Sequence, residues 1–414
     1  MGSDAQHSGT RVAERVRTFI DEQVIPIERE WLPRETSVPH DVLDSLRAEA
    51  REANVYAPQV SEEFGGLGLT FDEMLPVFEA AGRSLLGAHA IRCAAPDEGN
   101  MSTLERFGTP EQQARWLRPI VSGQMDSGFA MTEPLDGGGS DPKMLQTTAL
   151  LDDDEWVIDG HKWWTTGGAQ AEVLLVFARS NLDAHPYQGC SVIIVPRDSP
   201  GVELVRDIPH MGEILQGTSH AEFRFENVRV PAENLLGPRD GGFKLVQQRL
   251  GPARLTHCMR YLGMAQRAID IAVAYLSERQ AFGEPLSAKQ GPRFELADRT
   301  MELQAAHALV QDVSSQVATG AEARVAVAMA KTYTANVTQA AIDSALQFCG
   351  GNGIARDLPI ANFYEMVRQF RLVDGADEVH RRSIARAIFE DPDYKELESI
   401  TRFGMPAWDD VDLK

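Results

Sequence analysis

The sequence predicts a mainly α protein with a central β domain, in the order helices, small antiparallel barrel or sandwich, helical bundle. Three observations predict it. Apolar residues recur at helical spacing from residue 9 to about 117. Between residues 127 and 237 the pattern changes to short apolar runs separated by Gly, Pro and Asp turns. From residue 241 to about 390 long helical periods return. The divisions read from these changes are 1–126, 127–240, 241–395 and an acidic tail at 396–414.

In the first region Val12, Val16, Phe19, Ile20 and Val24 mark one helix face, and Val42, Leu43, Leu46 and Ala50 another. A glycine loop at 61–69 interrupts this pattern as a structural turn, and Thr70 is placed to cap the following helix. In the second region, 174–178 and 190–195 are continuous apolar runs, whereas 221–231 alternates strictly. In the third, helices are expected over 242–279, 290–319 and 321–348, separated at Pro285 and Gly320. The alanines around 325–330 permit close helix packing.

A chain of 414 residues exceeds one ordinary core. Its formal charge of −21 excludes the basic stripe that a nucleic-acid partner requires. No apolar run approaches the roughly 20 residues needed to span a bilayer. The polar start Met1-Gly2-Ser3-Asp4-Ala5-Gln6 lacks a signal-peptide core, and Gln6 weakens a lipidation reading of Gly2, so a cytoplasmic protein is expected. Cys93, Cys190, Cys258 and Cys349 lie far apart; Cys258 and Cys349 sit in apolar helical patterns and read as buried thiols in a reducing compartment. No metal site is expected. His220 and His257 lack ligand partners and read as hydrogen-bonded structural residues. The acidic run at 152–155 lacks calcium-loop spacing, and no Gly-x-Ser-x-Gly elbow supports a hydrolase.

Five stretches carry chemistry. Phe129-Ala130-Met131-Thr132-Glu133-Pro134 leads into a glycine loop ending in Ser140-Asp141, whose N–H groups suit an anion or a heteroaromatic edge. Lys162-Trp163-Trp164-Thr165-Thr166-Gly167 ends a strand. Alternation would send one indole inward and one outward, beside two hydroxyls, which suits a planar cofactor. Alone, core tryptophans and ordinary turns account for either stretch. Glu278-Arg279-Gln280-Ala281-Phe282-Gly283 with Gln290, and Gln347-Phe348-Cys349-Gly350-Gly351-Asn352-Gly353, are helix-to-loop junctions that offer an Arg and backbone N–H groups to a diphosphate. The fifth is Leu372-Val373-Asp374-Gly375-Ala376-Asp377-Glu378-Val379-His380. Asp374-Gly375 is a turn dipeptide and the acidic residues after it start a helix. Alone, the stretch reads first as a capped helix start, with Asp374 projecting from the junction.

Together and in this order, these stretches resemble the acyl-CoA dehydrogenase family, from the first helices to about residue 390. The local likeness is to a branch with members fused to a kinase-like domain. It is carried by Arg249-Leu250-Gly251-Pro252-Ala253-Arg254, His257-Cys258-Met259-Arg260, and Asp374-Gly375 with Glu378-Val379-His380. The dehydrogenase-like region fills the chain, so the fused domain is expected to be absent. The resemblance implies an N-terminal helical domain, a middle antiparallel β-barrel and a C-terminal four-helix bundle, assembled as a homodimer or homotetramer. It implies FAD between the β domain and the bundle. Phe129, Met131, Thr132, Ser140, Trp164, Thr165 and Thr166 would line the flavin, with Thr166 near N5. Arg279, Phe282, Gln290, Gln347, Gly350 and Gly351 would come from the neighbouring subunit, and Ala376, Asp377 and Glu378 would meet the adenosine side. Ser140, Gly251, Arg254 and Gly375 would lie near the acyl-CoA.

Asp374 falls on the position of the family's catalytic base, usually Glu, and an alternative base position is Ala253 here. The implied activity is α,β-dehydrogenation of an acyl-CoA to a trans-2-enoyl-CoA, as in fatty-acid β-oxidation. Hydride would pass to flavin N5 and electrons to an electron-transfer flavoprotein. An apolar site should then raise the Asp374 pKa toward working pH. The sequence departs from the common pattern in this Asp, and in five residues between Pro134 and Ser140 where three are usual. Three other readings remain: flavin-assisted conversion of a 4-hydroxyacyl-CoA through a 4-phosphorylated intermediate, an oxidase or nitroalkane-type flavoenzyme, and a flavin-free scaffold.

Overall fold

The computed structural model describes residues 2–390 except 135, 140, 213, 214 and 216–219, with residues 2–8 by backbone alone. Ser140 and the acidic tail at 396–414 therefore lie outside the described residues.

The first region is helical: α1 (Gly2–Phe19), α2 (Ile25–Trp31), α3 (His40–Glu52), α4 (Phe71–Gly82), α5 (Gly87–Ala90), α6 (Asp97–Phe107), α7 (Pro110–Gln112) and α8 (Arg118–Ser122). The apolar face read from α1 is buried at Val12, Val16, Phe19, Ile20 and Val24. Thr70 caps α4, its backbone N–H and its hydroxyl both donating to Glu73 Oε2 at 2.8 Å.

The β region has eight strands: β1 (Ser127–Ala130), β2 (Thr148–Asp152), β3 (Glu155–Thr166), β4 (Val173–Arg179), β5 (Cys190–Pro196), β6 (Val202–Ile208), β7 (His220–Pro231) and β8 (Leu235–Leu236). They form one sheet in the order β6-β7-β3-β2-β4-β5-β8, with β1 on β4. This corrects the antiparallel barrel in two respects. β1 pairs with β4 in parallel, and β2 meets β4 in parallel at Thr148–Arg179. The sheet order also ends at β6 and β8, which do not pair with each other among the described residues. The sheet still encloses a core of its own: Leu174, Val176 and Ile193 pack with Trp156, Phe223 and Phe225. Their neighbours Val173, Leu175, Phe177 and Val192 pack instead into the core shared with the helices. Burial on both faces explains why β4 and β5 are continuously apolar, without alternation.

The third region holds α9 (Gly242–Glu278), α10 (Gln290–Ala318), α11 (Arg324–Cys349), α12 (Gly351–Ile354), α13 (Ile360–Phe370) and α14 (Asp377–Glu390). A small hairpin of β9 (Gln280–Ala281) and β10 (Glu284–Pro285) links α9 to α10. Helix α9 also fastens the bundle to the N-terminal helices. A Cβ on Gly82 would fall 2.0 Å from Arg260 O, and one on Gly263 would fall 2.0 Å from Glu79 O. Only glycine permits α4 and α9 to approach this closely. All four cysteines are buried free thiols, and no helix among the described residues is long and apolar enough to cross a membrane.

Candidate active site

Between α13 and α14 the chain turns at Asp374 and Gly375, both in left-handed backbone, with φ of +55° and +100°. Asp tolerates this region because its short side chain bonds locally, and Gly because it has no Cβ. The turn is held by its carbonyls. Arg254 Nε donates to Asp374 O at 2.8 Å, His380 Nε2 lies 3.1 Å from the same oxygen, and Lys331 Nζ donates to Gly375 O at 2.9 Å. Asp377, at the start of α14, is only 1 % exposed. Its carboxylate accepts from Asn336 Nδ2 and Arg371 Nε, each at 3.0 Å, and lies 3.5 Å from Lys331 Nζ. That side chain anchors the turn.

Asp374 Oδ2, by contrast, is buried and accepts no hydrogen bond. Its neighbour is His257, whose Nδ1 is 3.2 Å away. The same nitrogen lies 2.7 Å from Ala253 O, and a carbonyl can only accept, so the imidazole proton points there. Burial, reinforced by Arg260, pulls His257 down to about 4, so the ring is neutral at pH 7. For Asp374, burial is the largest single influence and pushes the carboxyl up. The facing His257, Arg254, Arg249 and Lys331 together outweigh it, and the net displacement is downward. At pH 7 the charged groups facing it are Arg254, Arg249 and Lys331, and His257 joins them only near pH 4. The expectation of an apolar site that raises this pKa is therefore reversed, because α9 and α11 surround the turn with cations. The result is an ionised carboxylate with one oxygen uncommitted, a group equipped to take a proton.

A second cluster forms where β3 departs from regular pleating. Lys162 pairs with Phe223, but Thr165 pairs with Ala221, so β3 carries one extra residue at Trp163–Trp164. A bulge of this kind re-aims side chains. Trp164 takes φ +54° and is 42 % exposed, while Trp163 is half-buried. Neither indole is sent into the core, as simple alternation would require. Trp164 meets His210 and His220 edge-on, with ring centroids at 6.3 and 5.5 Å. Thr166 Oγ1 lies 3.0 Å from His220 Nδ1, and Thr165 Oγ1 is buried without a hydrogen bond.

The 129–133 segment is fastened to this strand. Trp163 N donates to Thr132 O at 3.0 Å, and Lys162 Nζ donates to Met131 O at 2.8 Å and Glu133 Oε1 at 2.9 Å. Glu133 also accepts from the backbone N–H groups of Gln146 and Thr147, at 2.8 and 2.9 Å, which orders the far side of the glycine loop. Phe129 lies under the Arg249 guanidinium, 4.0 Å from its ring centroid.

The two clusters share the end of α13. Gln369, beside His220, donates its Nε2 to Met211 O. The next residue, Phe370, stacks on His257 with centroids at 5.8 Å. Chain segments more than 200 residues apart thus meet through consecutive side chains.

The remaining expected site residues lie on the surface. Arg279, Phe282, Gln290, Gln347, Gly350, Gly351 and Glu378 are exposed, and Ala376 and Gly251 are half-buried. Phe282 is 90 % exposed at the hairpin tip with φ +55°. A Cβ on Gly251, Gly350 or Gly351 would meet only open space. The donor set fits a flavin: an exposed indole, an unbonded buried hydroxyl at Thr165 and a second hydroxyl at Thr166 offer a face and polar edges to a heteroaromatic ring.

Sequence reading missed several residues here. His257 and His220 read as isolated, yet one flanks Asp374 and the other bonds Thr166. His257 stands three residues after Arg254 on α9, a spacing that places both on one helix face. Lys331, a lone cation following an alanine-rich apolar run, carried the signal of a buried charge with an assigned task.

Comparison with known proteins agrees with this geometry. The sequence matches the N-terminal domain of acyl-CoA dehydrogenases over residues 8–124, the middle domain over 128–228 and the C-terminal domain over 240–389. The probable acyl-CoA dehydrogenase FadE2 of Mycobacterium tuberculosis is 39 % identical over 384 residues, 90 % of this chain and 93 % of that protein. Human acyl-CoA dehydrogenase family member 11 is 33 % identical over 395 residues, 91 % of this chain, which spans about half (50 %) of that relative's length. The structure of butyryl-CoA dehydrogenase from Megasphaera elsdenii superposes with a TM-score of 0.82 at 26 % identity, covering 92 % of this chain and 98 % of that one. The chain belongs to the acyl-CoA dehydrogenase family of FAD-dependent oxidoreductases.

Proposed function

We propose that the chain dehydrogenates an acyl-CoA across its Cα–Cβ bond to a trans-2-enoyl-CoA, with Asp374 as the base. One observation carries this reading: Asp374 is held ionised while its Oδ2 is buried and unbonded. The α proton of a thioester is weakly acidic, so its removal needs a positioned carboxylate and donors that stabilise the enolate oxygen. The left-handed turn fixes Asp374, and we assign its backbone N–H to the thioester oxygen. Gly251 and Arg254 line the acyl side, with Gly375, and Ser140 is assigned there with them.

FAD supplies the hydride acceptor for the β-carbon. Phe129, Met131, Thr132, Trp164, Thr165 and Thr166 would hold its ring. Arg279, Phe282, Gln290, Gln347, Gly350 and Gly351 would hold its diphosphate from a neighbouring copy in a homodimer or homotetramer, which accounts for a phenylalanine left 90 % exposed. Ala376 and Glu378 would meet the adenosine side. Asp377 would do so through its backbone, since its side chain is committed to Asn336, Arg371 and Lys331. An electron-transfer flavoprotein is the acceptor we assign.

Anaerobic bleaching of the flavin by a panel of acyl-CoA thioesters tests this reading. Asp374→Asn should keep its FAD absorbance and bleach roughly 10²- to 10⁴-fold more slowly. Equal bleaching would overturn the base assignment.

A second reading has an observation of its own. Arg249, Arg254 and Lys331 face Asp374 together, more positive charge than an alkyl chain requires. They suit a 4-phosphoryloxyacyl-CoA intermediate on a route from 4-hydroxyacyl-CoA. Release of phosphate from that compound without net reduction of an acceptor would replace simple oxidation.

A further inference from the structure

Arg249, on α9, carries a charge that its own contacts do not use. Its Nε donates to Asn100 Oδ1 at 3.0 Å and its Nη2 to Pro96 O at 3.3 Å. Its guanidinium carbon lies 4.0 Å from the centroid of Phe129. All three partners are neutral, and it closes no ion pair among the described residues. Gly99 leaves room for it, since a Cβ there would fall 3.1 Å from its Cζ. Burial draws its pKa down, but a guanidinium stays charged at any working pH. Of the carboxylates around it, Asp374 acts on it most strongly, ahead of Glu98 and Asp97. Asp97 is already paired with Arg92 at 3.2 Å, and burial pushes the Glu98 carboxyl up. A half-buried cation without an ion pair costs stability. A mere tie to an amide, a carbonyl and a ring would not need the charge.

We propose that Arg249, held against Phe129, supplies the fixed positive charge that stabilises the acyl-CoA enolate formed when Asp374 removes the α proton. This rests on the reading that Asp374 is the base and that Phe129 lines the flavin. The acyl-CoA then reacts between those two residues, and a cation that touches one and faces the other borders that space. When the α C–H bond breaks, the proton goes to Asp374 and the electron pair spreads onto the thioester oxygen. The thioester itself is uncharged, so the guanidinium favours the ion over the ground state. Asn100, Pro96 and Phe129 fix the charge in place beforehand, and nothing has to reorganise as the proton leaves.

Acetoacetyl-CoA tests this without turnover. It ionises at its α-carbon, but its β-carbon carries no hydrogen to transfer, and it has no acyl anion of its own. Its enolate is followed by absorbance in the holoenzyme as pH is raised. Wild type should hold more enolate than water does at the same pH. Arg249→Met should lower the enolate-to-keto ratio at fixed pH by roughly 10- to 100-fold, the reach of one charge at close range. Arg249→Lys, which keeps the charge, should restore most of it. Arg249→Gln, which keeps a donor for Asn100 but no charge, should not. This Lys and Gln pair carries the comparison if the Met variant does not fold. If the Gln and Met variants ionise the ligand as wild type does, or if Gln restores as much as Lys, the role of Arg249 is overturned. If wild type itself ionises the ligand no better than water, the reading of Asp374 as the base of an acyl-CoA site fails, and the proposal falls with it.

Discussion

His257 Nδ1 and Asp374 Oδ2 lie 3.2 Å apart and share no proton. A histidine so close to a carboxylate would ordinarily be its ion-pair partner. Here burial has removed the imidazole charge, and the remaining N–H is committed to Ala253 O. Arg254, Arg249 and Lys331 face Asp374 as permanent cations, and His257 adds the largest downward pull once it is protonated near pH 4.

This predicts where acid stops the reaction. The Asp374 pKa is displaced downward, so the bleaching rate at limiting acyl-CoA should hold constant from pH 7 to below pH 5. It should fall only beneath the ordinary aspartate value of about 3.9. Arg254→Met removes a cation and should move that acid limb to higher pH. His257→Phe should move it to higher pH as well, because the ring gains its charge near pH 4, within that limb, and is the largest downward influence on Asp374. Stopped-flow bleaching after a pH jump checks all three.

Stability should respond to acid earlier than activity. His220, His257 and His380 are drawn down to about 4 and His89 to about 3, each chiefly by burial. A histidine with a depressed folded pKa binds its proton more readily in the unfolded chain, so its contribution is whole above pH 6.5 and is lost as pH falls toward 4. Each contributes a slope of up to about 1.4 kcal/mol per pH unit in that window. Thermal melts should show Tm falling steeply from pH 6.5 to 4, and His89→Gln should flatten the fall.

The buried pair Lys162–Glu133 predicts an order of damage. Lys162→Met leaves Glu133 still bonded to the N–H groups of Gln146 and Thr147. Glu133→Leu strands those donors and a buried ammonium, so it should cost more, at or above the roughly 3–5 kcal/mol typical of breaking a buried pair. Urea midpoints of the two holoproteins give the comparison. A smaller loss in Glu133→Leu would contradict the role assigned to this carboxylate.

Asp374→Glu restores the residue usual in the family, yet it should not improve the enzyme. The backbone at 374 has φ +55°, which Asp adopts more readily than Glu, at a difference of about 1 kcal/mol. The longer side chain also carries the carboxylate about 1.5 Å further from its present place, as one added methylene requires. Bleaching slower than wild type is the expected result. A faster rate would show that the Asp is a compromise imposed by something other than this turn.

How much of this was legible before the structure differs by residue. The cap at Thr70, the break at Gly320 and the turn at Asp374–Gly375 were readable because each rests on local backbone chemistry. The core positions of α1 and β4 were readable because periodicity records burial. Parallel pairing of β1 with β4 left no local trace, since it depends on a partner more than 40 residues away. The bulge at Trp163–Trp164 was hidden because strand alternation assumes regular pleating. The downward pKa of Asp374 was missed because its cations come from α9 and α11, and sequence distance says nothing about which charges surround a turn.

Gln369 and Phe370 are adjacent in α13, one beside His220 and the other stacked on His257. Successive residues of a helix diverge by about 100°, so a single short helix serves two sides at once. A substitution that turns α13, for instance one that reshapes room for a longer acyl chain, moves the imidazole behind Thr166 and the imidazole beside Asp374 together. Both clusters therefore answer to the rotation of this one helix.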